Sequence, residues 1–160
     1  MKHLPRPALA GICAFVLAAC LAPPACAQLK KPPPIAGRWQ FQTSEIPNKG
    51  CAISGEIDFV QNRNAPDYSC SFVSREVCGP PEDGNVAEVK QSCTAKFSGL
   101  DLQIISKVDR IVRVPRGAIG YTYRADNFFI RPKSSGEMLG HFQSINEAPV
   151  RFWRSGDLVS

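Results

Sequence analysis

Cys51, Cys70, Cys78 and Cys93 are the residues best suited to covalent chemistry in the body of this chain. Their spacings of 19, 8 and 15 contain no C-x-x-C pair. That disfavours a dithiol redox centre and a zinc ribbon, and it leaves structural disulfides as the expected use. Histidine offers little more: His3 falls in a leader described below, so His141 stands alone. One imidazole cannot build a multi-histidine zinc site, and no G-x-S-x-G segment presents a serine to it. His141 alternates with Leu139 and Gln143 and reads as an ordinary strand residue. Glu56 and Asp58 share one face of a strand, whereas a glycosidase-type pair is opposed across a cleft, so they read as a solvated face. No catalytic residue, metal or cofactor is expected, and the chain reads as non-enzymatic.

The later half is basic. Residues 105–154 carry nine Lys and Arg against four acids, while residues 28–104 carry eight against nine. Arg110, Arg113, Arg116, Arg124 and Arg131 form a candidate surface for an anionic partner, because the guanidinium fork matches carboxylate and phosphate. The competing reading is that they are scattered outward residues that keep the protein soluble. Nucleic acid is not an expected partner, given the small net charge and an address outside the cytoplasm.

Lys2 and Arg6 precede an apolar run from Ala8 to Leu21, and Pro23 and Pro24 follow it. The run is shorter than the roughly 20 apolar residues that span a bilayer. Ala25, Cys26 and Ala27 then supply small residues where a signal peptidase cuts, so residues 1–27 read as a signal peptide removed before Gln28. Export to the periplasm or the medium follows, with no transmembrane helix in the mature chain. Leu17, Ala18, Ala19 and Cys20 offer a rival address, since they resemble a bacterial lipobox that would leave the protein lipid-anchored through Cys20. Parity favours the cut before Gln28, which leaves four cysteines for two disulfides, whereas a cut at Cys20 strands Cys26. The mature chain is then 160 minus 27, or 133 residues, with 19 minus 2 basic residues against 14 acids, a charge of +3. That is one domain's worth of chain, expected to work as a monomer.

Residues 28–34 read as an extended, proline-rich arm, and residues 35–160 as a β domain. Apolar residues recur with period two at Trp39 and Phe41, at Ile53, Ile57 and Phe59, and at Tyr68, Cys70 and Phe72. Val89, Cys93, Ala95 and Phe97 continue it, with Gln91 the one conflict on the inward face, and Leu100, Leu102 and Ile104 follow a Ser98-Gly99 turn. Shorter strands are expected at Gly120 to Arg124, Asn127 to Arg131, Glu137 to Ser144 and Val150 to Arg154, with turns at residues 132–136 and 146–149. A single turn of helix is expected, if anywhere, near residues 44–50 or 76–82. The expected fold is all-β, a small antiparallel barrel of about eight strands, with a β-sandwich as the alternative. Four cysteines allow three pairings. A turn near Asn64 sets Cys51 opposite Cys78, and one near Pro81 sets Cys70 opposite Cys93, which makes these the preferred pairs.

Ala36-Gly37-Arg38-Trp39 resembles the G-x-W signature of lipocalin-like barrels. The resemblance implies that Gly37 and Trp39 close one barrel end and that Arg151 or Arg154 covers the tryptophan by cation–π stacking. Cys51-Ala52-Ile53, a dozen residues further on, is similar to secreted bacterial metalloprotease inhibitors, which insert an extended N-terminal arm into the protease. Three functional expectations result: a barrel that binds a small ligand or an exported protein, a protease inhibitor acting through residues 28–34, or a lipid-anchored envelope protein with a structural role.

Overall fold

A computed structural model describes residues 33–80 and 84–154. The signal segment, Cys20 and most of the arm lie outside the described residues. Eight antiparallel strands follow in order: β1 Gly37–Thr43, β2 Cys51–Gln61, β3 Tyr68–Cys78, β4 Val86–Ser98, β5 Asp101–Arg113, β6 Asn127–Pro132, β7 Glu137–Gln143 and β8 Glu147–Arg154. Each pairs with its neighbour in sequence, and β8 returns to β1, giving a closed up-and-down barrel. Closure sets aside the sandwich alternative and removes the exposed sheet edges that invite aggregation.

The two-residue period explains the closure. Trp39, Phe41, Ile57, Phe59, Phe72, Ile104, Phe128, Ile130, Met138 and Phe152 are buried inside, while Arg38, Glu56, Lys90, Lys96 and Arg131 face out. An apolar interior within a charged exterior is the reverse of a barrel that crosses a membrane with its strands. No helix among the described residues is long and apolar enough to cross one. Phe128 is the centre of the packing, with its ring 5.1 to 5.9 Å from those of Phe41, Phe72, Phe142 and Phe152. The middle of the barrel is therefore solid.

Both preferred disulfides are present, Cys51–Cys78 and Cys70–Cys93. Each joins directly opposed residues on adjacent strands, Cys51 with Cys78 across β2 and β3 and Cys70 with Cys93 across β3 and β4. The hairpin register alone thus brings the sulfurs together. Gly99, at φ 64°, makes the β4–β5 turn in a conformation that side chains with a Cβ rarely adopt.

Three expectations need correction. Residues 120–124 form no strand; they belong to a long connection, residues 114–126, because β5 runs on to Arg113 and β6 starts only at Asn127. No helical turn forms at residues 44–50, nor at 76–78, which finish β3. The last turn is shorter than expected, and Pro149 sits inside β8. Its carbonyl accepts from the Ser44 N–H at 2.9 Å, so its missing N–H falls on the side where β1 has already ended.

Gly140 of β7 is wedged between Ile130 and Val150 on its two neighbours. A Cβ there would meet the backbone carbonyl of Phe129 and, at 2.6 Å, the Cα of Ile130. Backbone atoms in a closed sheet cannot swing aside. Gly140→Ala is expected to lower stability by about 1–3 kcal/mol in urea titration, the usual cost of overpacking, and an unchanged midpoint would contradict the register.

Candidate functional site

The two barrel ends are built differently. At one, Ile35 accepts a hydrogen bond from Trp39 Nε1 through its carbonyl at 2.8 Å, and Trp39 is 1% exposed. Arg154 lies over the Trp39 ring with Cζ 4.5 Å from the centroid, and its nitrogens donate to the carbonyls of Pro34, Ala36 and Ser135. Gly37, at φ 105°, passes beneath this guanidinium. Arg151 lies instead beside Trp153, 5.9 Å from its ring, and pairs with Glu137 at 2.8 Å. The Trp39 end is plugged.

The other end is open because β5 and β6 part company. They pair only from Leu102 to Ile104, while β5 follows β4 as far as Arg113. Two register shifts, where Asp109 and Val112 are extra residues on β5, bend it further, as bulges do. Side chains take over where the ladder stops: Asn127 Oδ1 accepts from the Ser106 N–H at 2.9 Å, and Ser106 Oγ donates to the Asp126 carbonyl at 2.6 Å. The connection 114–126 then crosses this end as a strap, fixed where the Arg116 N–H donates to the Gly84 carbonyl at 3.1 Å.

Beneath the strap lies a cup of about 340 Å³. Phe142, Ile46, Ile53 and the Cys51–Cys78 disulfide form its apolar side, while Glu76, Tyr121, Tyr123 and Asp126 form its polar side. Lys49 and Arg124 stand exposed at the lip.

The polar side rests on a buried network. Gln91 and Ser74 are fully buried, and Asp126 is 1% exposed. Gln91 Nε2 donates to Ser74 Oγ at 3.0 Å and to Asp126 Oδ2 at 2.6 Å, and Gln91 Oε1 accepts from the Asp126 N–H at 2.9 Å. Tyr123 donates its hydroxyl to the Asp126 carboxylate at 3.0 Å, and Tyr121 donates to Glu76 Oε2 at 3.4 Å. Gln91 thus locks the root of the strap onto the barrel wall. Burial pushes the Asp126 carboxyl up to about 6 despite the hydrogen bonds that favour its charge. Burial and the neighbouring Glu76 push the Tyr121 phenol up to about 12, and burial with Asp126 raises Tyr123 as well. All three shifts report an apolar, negatively biased site.

The sequence-predicted basic residues do not converge on one place. Arg110 and Arg113 lie on β5, opposite Lys90 and Glu88, and Arg116 packs on Gly84. Arg124 is at the cup lip, whereas Arg131 lies towards the plugged end, with its guanidinium bonded to both Asp101 carboxylate oxygens at 2.6 and 2.8 Å. That contact raises Arg131 and holds the Asp101 carboxyl below its usual value. Glu56 and Asp58 both pair with Arg38 on the outside, and His141 is exposed on β7 between Phe129 and Pro149. Cys51, Cys78 and Glu76 set donor atoms within 4.8 Å of one another, but the sulfurs are bonded together and offer no thiolate to a metal.

Sequence reasoning missed Glu76, Tyr121, Tyr123 and Asp126. One signal was available: Gln91 breaks the apolar alternation, and it is the residue on which the buried network turns.

No known protein family and no curated protein matches this chain. Among solved structures, it is similar to one from the de novo design of a fluorescence-activating β-barrel. That likeness has 16% identity and a TM-score of 0.50, and it covers 75% of this chain and 93% of the designed one. At that identity the likeness concerns the fold.

Proposed function

We propose that this chain is an exported, non-enzymatic barrel that holds a small ligand in the cup beneath the strap. The observation that carries the reading is the contrast within one barrel: phenylalanines fill the middle, Trp39 plugs one end, and about 340 Å³ is left open at the other. That volume lies in the range of small-molecule sites, and apolar walls with a few convergent polar groups are their usual make-up. The cup's own groups support a role outside catalysis. Burial raises the Asp126 carboxyl towards neutrality, where acid–base work is done, but both its oxygens accept hydrogen bonds from Tyr123 and Gln91. It holds the strap rather than a substrate proton. Export is inferred from the leader and agrees with two disulfides, which persist in oxidising compartments. The inhibitor reading rests on an arm of which only Pro33 and Pro34 are described.

Native mass spectrometry of protein purified from its own host tests the proposal. A bound small molecule is expected on the unmodified chain and is expected to vanish in Ala87→Phe, which adds a ring at a buried position of β4 that lines the cup. A ligand retained in full by that variant, or none on either protein, would overturn it.

A further inference from the structure

We infer that the ligand class is a small organic cation, an ammonium or guanidinium on an apolar body, with its charge towards Glu76 and the rings of Tyr121 and Tyr123 and its body against the apolar lining of the cup. This rests on the cup being a ligand site. Glu76 and Asp126 both line it, and among the described residues neither has a Lys or Arg partner within ion-pair distance. The carboxylates that do have such partners, Glu56, Asp58, Glu88, Asp101 and Glu137, are all on the outer surface. Two carboxylates thus face the cup with no ion pair of their own, and Asp126 among them is buried, an arrangement that a bound cation relieves.

The two carboxylates have different parts. Glu76 is half-buried, and among the described residues its Oε2 alone is engaged, by the Tyr121 hydroxyl, which leaves Oε1 to accept from a ligand N–H. Asp126 is enclosed and acts through its field. Tyr121 and Tyr123 have ring centroids 6.4 Å apart and planes 43° apart, which gives an approaching cation two aromatic rings to meet. Phe142, Ile46 and Ile145 line the same cup and leave an apolar surface for the ligand body. Lys49 and Arg124 are exposed at the lip, where water and salt screen them.

The test is a calorimetric titration of the disulfide-bonded protein with three probes of one shape: phenethylamine, phenethyl alcohol and phenylacetate. The amine is expected to bind at one site per chain and at least about tenfold more tightly than the alcohol, a difference of about 1.4 kcal/mol, with phenylacetate weakest. Glu76→Gln is expected to remove the amine's advantage while leaving alcohol binding unchanged, and Asp126→Asn to reduce it by a few-fold. If the alcohol or phenylacetate binds as tightly as the amine, or Glu76→Gln leaves the preference intact, the cation assignment fails and the cup remains a ligand site. If none of the three binds, the ligand-site reading falls with it.

Discussion

Phe128→Ala is expected to lower the free energy of unfolding by about 3–5 kcal/mol, the usual range for deleting a buried phenyl ring. Few positions should cost more. Phe128 touches four other aromatic rings, is fully buried, and lies at the centre of the packing, two residues after Asp126. In a closed barrel the strands are held on both sides, so the site collapses poorly and the lost contacts are not recovered. Urea titration measures the loss directly. A cost under about 1 kcal/mol would mean that the barrel middle is not packed as described, and the distinction between a filled centre and an open cup would go with it.

The second large effect is a dependence of stability on pH that runs against the usual acid sensitivity of proteins. Folding raises the Asp126 carboxyl from 3.8 to about 6, so the folded chain holds this proton more tightly than the unfolded one. Its contribution is therefore most favourable below about pH 4 and is lost as pH rises through 6. At neutral pH the ionised, buried carboxylate costs on the order of 3 kcal/mol. Asp126→Asn keeps the shape but removes the charge. It is expected to flatten the slope between about pH 4 and 7 and to raise stability at pH 7 by about 1–2 kcal/mol, less than the full cost because the amide cannot accept every bond the carboxylate does. Urea titrations of both proteins across that range decide it. Equal slopes would show that Asp126 is not the buried titrating group.

Much of this architecture could be read directly from the chain. Period-two alternation fixed the inward faces of β1 to β4, and hairpin arithmetic alone placed Cys51 against Cys78 and Cys70 against Cys93. The cup was harder to see, for three physical reasons. Tyr121 and Tyr123 do alternate towards the interior, but alternation reports which side faces in and says nothing of a neighbouring ladder, so a strap carries the pattern of a strand. β5 outruns its apolar pattern because its upper half pairs only with β4 and shows polar residues on both faces. Glu76 and Asp126 are separated by 50 positions, and only barrel closure brings them to one mouth. The five arginines share one half of the sequence, but closure of the barrel sets Arg124 at the cup lip and Arg131 towards the plugged end.

The most direct measurement is an NMR titration of the disulfide-bonded protein with phenethylamine, following the side chains of Tyr121, Tyr123 and Ile145 together with the backbone around Glu76 and Asp126. Saturable shift changes centred there, with Trp39 and Arg154 unmoved, are the predicted result. Changes confined to the plugged end or to the outer face around Phe129 and Leu139 would contradict the cup as the place where this barrel meets its ligand.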